Sequence, residues 1–457
     1  MNHPPMNFTP LRTLLSAKRP DNYPVSFTGN HINHWQQFLQ DVTQLSQVLS
    51  TKTGNNIALC CGNSYQFAVG FFAVCAAGKA LVLPGNYQPA ALNELAIHFD
   101  LLLVDSEVEV PSGINALVIH QHTFSQESTV PVMLTLADIR LTLFTSGSSG
   151  TPKAIEKTLT QLESEIDILQ RLWGEQLSAT QIESTVSHQH IYGLLFRVLW
   201  PLCAARPFAA YNLEFPEQVI SHAGPNTTLI SSPALLKRLN EEHQSTKLRM
   251  AFSSGGPLAN QAANHACELF GQYPIEVYGS TETGGIAFRQ QHSATTPWQL
   301  FPGIEAELNE ESCLKLKSPH IDANNWYQTA DECIFHDKVH FELKGRTDRI
   351  IKVEEKRVSL VEVERRVEQL SWVEETAVIP MMEGDRLTLV AAIVLNQQGK
   401  QQFALSGKGK FWLLLRNELR QWLEPIAVPR RFRVFDEIPL NSQGKRQTAE
   451  IEALFQQ

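Results

Sequence analysis

The sequence has no CxxC pair and no Cys/His cluster at zinc-ligand spacing, which excludes the common structural zinc folds. Its seven cysteines, Cys60, Cys61, Cys75, Cys203, Cys267, Cys313 and Cys333, are odd in number and scattered. That usage suits a reducing cytoplasm better than a disulfide framework. Cys60 and Cys61 follow Ile57-Ala58-Leu59 in an apolar run and read as buried thiols. No stretch reaches the roughly 20 apolar residues that span a bilayer. The opening MNHPPMNFTPLRTLLSAKRP lacks the apolar centre of a signal peptide, so no membrane insertion is expected. Positive charge is also short, 38 Lys and Arg against 47 Asp and Glu for a net charge of −9. That balance excludes a general nucleic-acid binder, which needs clustered cations to neutralise phosphates. No internal repeat and no low-complexity tract occurs.

What is present is an ordinary globular composition, 43% hydrophobic and 19% charged over 457 residues. That length exceeds what one core usually supports and predicts a large domain plus a smaller one. From about residue 56 to residue 300, short apolar runs alternate with longer amphipathic segments. NNIALCCG, KALVLPG and DLLLVD read as strands, with SYQFAVGFFAVCAAG and QPAALNELAIHF as the helices between them. LTLFT, TLISS, LRMAFSS and IEVYGS are further strands, each leading into a polar turn. The expectation is an α/β fold: a large N-terminal domain of mixed, mostly parallel sheets with helices, plus a β-rich region. CLKLKS and KVHFELKG supply that region. A break is predicted at 345–350, separating residues 1–344 from a small α+β domain at 351–457. In that domain KGKFWLLLRNELRQWL reads as an amphipathic helix.

Five segments carry chemistry. The first is Thr145-Ser146-Gly147-Ser148-Ser149-Gly150-Thr151-Pro152-Lys153, directly after a strand. Glycines let backbone N–H groups approach phosphate oxygens, hydroxyls add contacts, and Lys153 adds charge. A Walker A loop needs GxxxxGK followed by Ser or Thr. Here Gly150 and Lys153 are separated, and Ala154 follows the lysine. The others are Tyr278-Gly279-Ser280-Thr281-Glu282, Tyr327-Gln328-Thr329-Ala330-Asp331, Gly345-Arg346-Thr347-Asp348 and Pro439-Leu440-Asn441-Ser442-Gln443-Gly444-Lys445. Taken singly, Glu282 is a solvated turn residue, Arg346 and Asp348 a surface pair, and Lys445 an exposed lysine. Their order changes that reading.

In this order the segments resemble the motifs of the adenylate-forming superfamily, which includes acyl- and aryl-CoA synthetases, adenylation domains of peptide synthetases and luciferases. The resemblance implies a carboxylic acid:AMP ligase using ATP and Mg²⁺. It implies that the Thr145–Lys153 segment cradles the phosphates, Thr281 contacts the AMP phosphate, Tyr278 lines the adenine and Glu282 holds Mg²⁺. Asp331 is implied to bind both ribose hydroxyls and Arg346 to contact the nucleotide. Asp348 is the implied hinge of a mobile small domain, whose Lys445 bridges the acid and the α-phosphate. Ser149, Ala154 and Ala330 depart from the family's usual Thr, Gly and Gly.

Ser187-His188-Gln189-His190-Ile191-Tyr192-Gly193 resembles the HxxG segment of acyl- and aryl-CoA synthetases, which implicates His190 near the carboxylate site. A core histidine is the plainer reading of the same residue. Ser253-Ser254-Gly255-Gly256 matches the family's Gly-Gly turn beside the nucleotide. His190, Tyr192, Gly193, Phe196 and Gly279 are the expected acid pocket, suiting a small aryl or acyl acid. No Asp occurs there to pair with an α-ammonium, so an amino acid is disfavoured. The acceptor is expected to be a thiol, of CoA or of the phosphopantetheine of an acyl carrier protein acting in trans. Where synthetases carry K-x-x-G-x-R, this chain has Lys352-Val353-Glu354-Glu355-Lys356-Arg357. Glu355 adds bulk and negative charge in place of the glycine and disfavours CoA. Arg430, Arg431 and Arg433 form a basic cluster that either meets a carrier protein or is a solvated strand face. The brevity of the chain is similar to that of the free-standing AMP ligases of bacterial aryl-polyene pathways. The alternative is a catalytically silent nucleotide-binding regulatory protein on the same fold, which need not keep Thr281, Glu282, Asp331 and Lys445 together.

Overall fold

A computed structural model describes residues 8–85, 87–119, 139–146, 152–239, 243–346, 349–353, 356–383, 386–423, 425–440 and 446–456. The chain divides into two compact units, Met1–Glu305 with Lys317–Asn325, and Ala306–Leu316 with Trp326–Gln457. The expected break at 345–350 lies inside the second unit, which groups the strand His340–Arg346 with all that follows.

In the first unit, one sheet has the order Ala116–Val118, Leu101–Val104, Asn56–Cys60, Ala80–Leu83, Arg140–Ser146, Pro152–Thr158. All neighbours are parallel except the last pair. Ile57, Ala58, Leu59 and Cys60 are fully buried. Cover on both faces explains why this strand is an unbroken apolar run and not an alternating one. The helix Ser64–Ala76 follows, started by Asn63, whose side chain accepts from the N–H groups of Tyr65 and Gln66. A Cβ on Gly70 would come within 2.6 Å of Leu59 Cδ1, so glycine there lets the helix approach that strand.

The second set of strands runs Trp298–Leu300, Gly284–Gln290, Ile275–Ser280, Met250–Ser253, Thr227–Ser231, Gln181–Ser184, Phe208–Ala209, Pro24–Thr28, His31–His34. It is parallel from Ile275–Ser280 to Pro24–Thr28 and antiparallel at both ends. The mixed, mostly parallel α/β architecture expected from the alternating pattern is present. The helix Leu159–Trp173 opens with a capping box between Thr158 and Gln161. The turns after Ser253 and Ser280 leave the carboxyl ends of parallel strands, where open α/β sheets bind ligands.

In the second unit, the end of the strand Asp322–Phe335, from Asp331 on, pairs antiparallel with His340–Arg346, Asp331 opposite Arg346. A hairpin of Ile350–Val353 and Lys356–Ser359 leads into the helix Leu360–Glu368. A three-stranded sheet then runs Val373–Glu383, Arg386–Leu395, Arg431–Phe435. Its apolar residues alternate: Val378, Leu389, Ala391 and Ile393 join one cluster, and Ala377, Ile379, Val390 and Ala392 another. Both faces are therefore covered. The helix Lys408–Leu419 buries Phe411, Leu415 and Leu419, the spacing its sequence predicts. Among the described residues no helix is long and apolar enough to cross a membrane.

Candidate active site

Two of the sequence motifs meet in the first unit. Thr145 and Ser146 end one strand and Lys153 is the second residue of the next, with Thr145 opposite Lys153. Gly147, Ser148, Ser149, Gly150 and Thr151, between them, lie outside the described residues. Lys153 Nζ lies 2.8 Å from Glu282 Oε1, the lysine side chain 57% exposed and the glutamate 25%. Burial pushes the Glu282 carboxyl up. The bonds from Lys153, from its own backbone N–H and from Ser280 outweigh that and hold it below the usual carboxylate range. Glu282 is therefore an anion at neutral pH.

The Tyr278–Glu282 segment is a strand end and a tight turn. The register shifts between Tyr278 and Gly279 as the chain turns back. A Cβ on Gly279 would run into the backbone of Gly284, so the close approach requires glycine. The hydroxyls of Ser280 and Thr283 close the turn: Thr283 Oγ1 accepts from Ser280 N at 3.0 Å and Ser280 Oγ from Thr283 N at 3.2 Å. Thr281 is half-buried in this turn. Tyr278 packs on Trp298 at 5.5 Å between ring centroids. In the neighbouring turn Gly255 takes a φ of +96°, and Ser254 Oγ donates to Val277 O at 2.8 Å. Gly255 and Gly256 thus stand beside the strand that carries Tyr278.

Beneath this turn lies a polar group that the sequence reading missed. Lys157 is 4% exposed and donates to Glu282 O at 2.6 Å and to His320 O at 3.3 Å. Burial pushes its ammonium below the usual lysine range, opposed by Glu165 and Glu282. Glu165, also buried, accepts from Gly285 N at 2.7 Å, and His320 Nε2 donates to Gly285 O at 2.8 Å. A signal did exist: Lys157 falls on the same strand face as buried Ile155.

Of the expected acid-pocket residues, His190, Tyr192, Gly193 and Phe196 lie in and beside the short helix Ile191–Gly193, with His190 at its N-cap, and Gly279 lies on the strand Ile275–Ser280. Gly193 packs directly on the Ser187 carbonyl, where a Cβ would clash. Burial pushes the Tyr192 hydroxyl well up. The Tyr192 ring packs at a tilt on Phe196, 4.9 Å between centroids, and Phe196 is itself 1% exposed against Trp200 and Phe252. Phe196 is therefore packing behind Tyr192. His188 is the buried core histidine of the segment, contacting Ser64 Oγ through Nδ1 and donating from Nε2 to Cys61 O. Burial and Arg197 push its pKa well below the usual histidine value.

Two further motifs meet in the second unit. Arg346 Nη1 lies 3.1 Å from Asp331 Oδ1, the arginine 48% exposed and the aspartate 13%. Thr329 Oγ1 accepts from Asp331 N at 3.1 Å and donates to Leu314 O at 2.9 Å. Asp348, Glu354, Glu355 and Lys445 lie outside the described residues. Their neighbours converge: Glu364 receives a bidentate bond from Arg349 at 2.7 and 2.8 Å and pairs with Arg446 at 2.9 Å. This carboxylate was also missed, although it sits in the apolar stripe of Leu360, Val363 and Val367. Arg430 and Arg431 both face Glu383, at 4.0 and 3.7 Å, which offsets part of the basic cluster.

Magnesium takes oxygen ligands, usually one or two carboxylates completed by substrate phosphates. Glu282 fits that role, being ionised and partly exposed. Among the described residues no group of three or more His, Cys, Asp or Glu could hold a metal ion. A single carboxylate matches a metal that arrives on a nucleotide.

A family model described as AMP-binding enzyme matches residues 15–316. The 4-coumarate–CoA ligase of Halorhodospira halophila is 26% identical over 314 residues, 67% of this chain and 75% of that protein. The D-alanine–D-alanyl carrier protein ligase of Staphylococcus epidermidis is 23% identical over 350 residues, 67% of this chain and 70% of that protein. The crystal structure of ATP-bound MatB from Rhodopseudomonas palustris superposes with a TM-score of 0.80 at 15% identity, covering 98% of this chain and 99% of that one. With the fold, the motif order and the family match in agreement, the chain belongs to the AMP-binding enzymes of the adenylate-forming superfamily and is an ATP-dependent, acyl-adenylate-forming ligase.

Proposed function

We propose that this ligase activates a small carboxylic acid without an α-amino group, aryl or short acyl, as its acyl-AMP. The observation that carries the reading is the Lys153–Glu282 pair, which joins two motif segments 129 residues apart at 2.8 Å. A carboxylate oxygen of the acid attacks the α-phosphorus of ATP, and the bond from that phosphorus to the pyrophosphate oxygen breaks. Two anions must approach, so the site has to supply positive charge where negative charge develops. Lys445 bridges the acid and the α-phosphate. Lys153 and the Thr145–Thr151 segment take the outer phosphates, and Thr281 the phosphate of AMP. Glu282 holds the Mg²⁺ that accompanies the nucleotide, which when bound neutralises charge on the departing pyrophosphate. Asp331 accepts from the two ribose hydroxyls, whose vicinal donors match its two oxygens. Arg346 contacts the nucleotide, while Tyr278, Gly255 and Gly256 line it.

His190, Tyr192, Gly193 and Gly279 border the acid, with Phe196 behind. In the second step a thiol sulfur attacks the acyl carbon, the acyl C–O bond to AMP breaks, and AMP leaves. A carrier protein in trans is the favoured acceptor, because Glu355 stands where a CoA-using relative has glycine. The hinge at 345–350, centred on Asp348, lets residues 351–457 present Lys445 first and another face afterwards. The cytoplasm is the compartment this reading favours, since an odd, scattered set of seven cysteines suits a reducing environment.

A panel of aryl and short acyl acids in an ATP–pyrophosphate exchange assay tests the first step, and CoA and a carrier protein offered in parallel test the second. Lys445→Ala should lower exchange by about 10²–10³-fold, the scale of one lost transition-state donor. Near-normal exchange in that variant would remove Lys445 from the mechanism.

A further inference from the structure

We propose that Lys157 is a positioning residue for adenylation, gripping the main chain of Glu282 so that its carboxylate is presented to the metal-bearing nucleotide. This rests on the assignment of Glu282 as the Mg²⁺ ligand.

Lys153 and Lys157 are four residues apart on one strand and so share a face. Both reach Glu282, but at different atoms. Lys153, largely exposed, contacts the carboxylate, while Lys157, buried, donates to the carbonyl of the same residue. Glu165 and His320 take the N–H and the carbonyl of Gly285. Three buried side chains thus hold the main chain on both sides of the Thr283–Gly284 corner. Burying a lysine and a glutamate is unfavourable unless their hydrogen bonds are used, and an apolar pair would pack the same space at lower cost. Here the shortest of those bonds, from Lys157 to Glu282 O and to Glu165 from Gly285 N, lie on the backbone of the turn that presents Glu282, and the longer Lys157 bond goes to His320 O. Lys153 can leave the carboxylate for a phosphate when the nucleotide arrives, and Lys157 keeps the residue in place during that exchange.

The test compares Glu282→Gln, Lys157→Met and the charge-balanced Lys157→Met/Glu165→Gln, each as the full chain. ATP binding is followed by calorimetry across a Mg²⁺ titration, beside pyrophosphate exchange. Both Lys157 variants should raise the Mg²⁺ concentration for half-maximal ATP binding by about tenfold, the lower end of the effect of losing a residue behind a metal ligand. The KM for the acid should stay unchanged. Adding Lys157→Met to Glu282→Gln should shift the Mg²⁺ dependence no further. Wild-type Mg²⁺ dependence in the charge-balanced variant, with Glu282→Gln shifted, would overturn the role of Lys157 and leave that of Glu282 standing. An unshifted Glu282→Gln would overturn the Glu282 assignment and this inference with it. Failure of both Lys157 variants to fold would make Lys157 a folding residue and equally end the proposal.

Discussion

The Lys153–Glu282 and Arg346–Asp331 pairs each join two motif segments, at 2.8 and 3.1 Å, yet they are built on different foundations. Glu282 stands on a buried polar floor of Lys157, Glu165 and His320 that bonds its main chain and its neighbours'. Asp331 lies across a two-stranded antiparallel ladder, facing an arginine that is half exposed. A pair with one half-exposed partner contributes roughly 0–1 kcal/mol, because the arginine stays solvated and mobile although Asp331 itself is largely covered. A carboxylate whose backbone is fixed is presented with little reorganisation, which is where electrostatic catalysis gains most. In the proposed site the Glu282 end is thus the more firmly held, with three buried side chains on its turn against the hydroxyl of Thr329 on the main chain of Asp331.

Substitutions can break that contrast. Glu282→Gln should have the largest effect, lowering the rate of adenylation at saturating ATP by about 10²-fold, as for a lost preorganised group; pyrophosphate exchange measures it. Asp331→Asn should act mainly on binding, raising the KM for ATP by about tenfold, on the order of one charged hydrogen bond. If Asp331→Asn lowered the rate as far as Glu282→Gln, the two carboxylates would be equally preorganised. Arg346→Lys keeps the charge and loses the planar fork, so a change of about two- to fivefold in the same KM is expected. The smallest effect is on pH. The folded-state pKa of Glu282 is depressed below the ordinary 4.5, so its contribution to stability is fully present above that value. The stability difference between wild type and Glu282→Gln should be flat from about pH 8 to about pH 5, shrink below the unfolded value, and be lost once the pH has fallen through the folded pKa. Chemical denaturation at stepped pH gives that difference.

Most of the fold was legible because its strands are buried on both faces. Runs such as Ile57–Cys60 and Leu389–Leu395 have no solvent side to interrupt them, and helices with an apolar stripe, such as Lys408–Leu419, mark themselves. The motif residues were legible through their order, and the structure brings Lys153 to Glu282 and Asp331 to Arg346. What escaped were charges embedded in apolar patterns. Lys157, Glu165 and Glu364 read as breaks in a strand or a stripe, because much of what they bond is main chain remote in sequence. A pattern reports that a face is buried; it does not report which carbonyl waits there. Phe196 illustrates the converse, since an aromatic beside a site segment proved to be packing for Trp200 and Phe252.

The apolar clusters of the chain also have a consequence for heating. One group ends at Phe301, and another runs only from Val353 to Phe455. Cores that share no residues need not melt together, so a calorimetric scan should resolve two transitions and not one cooperative unfolding. The smaller should carry an enthalpy of about 100 kcal/mol, from roughly 0.7 kcal/mol per residue over Ala306–Leu316 and Trp326–Gln457. A single Tm is then not a property of this chain, and each of its two units has its own.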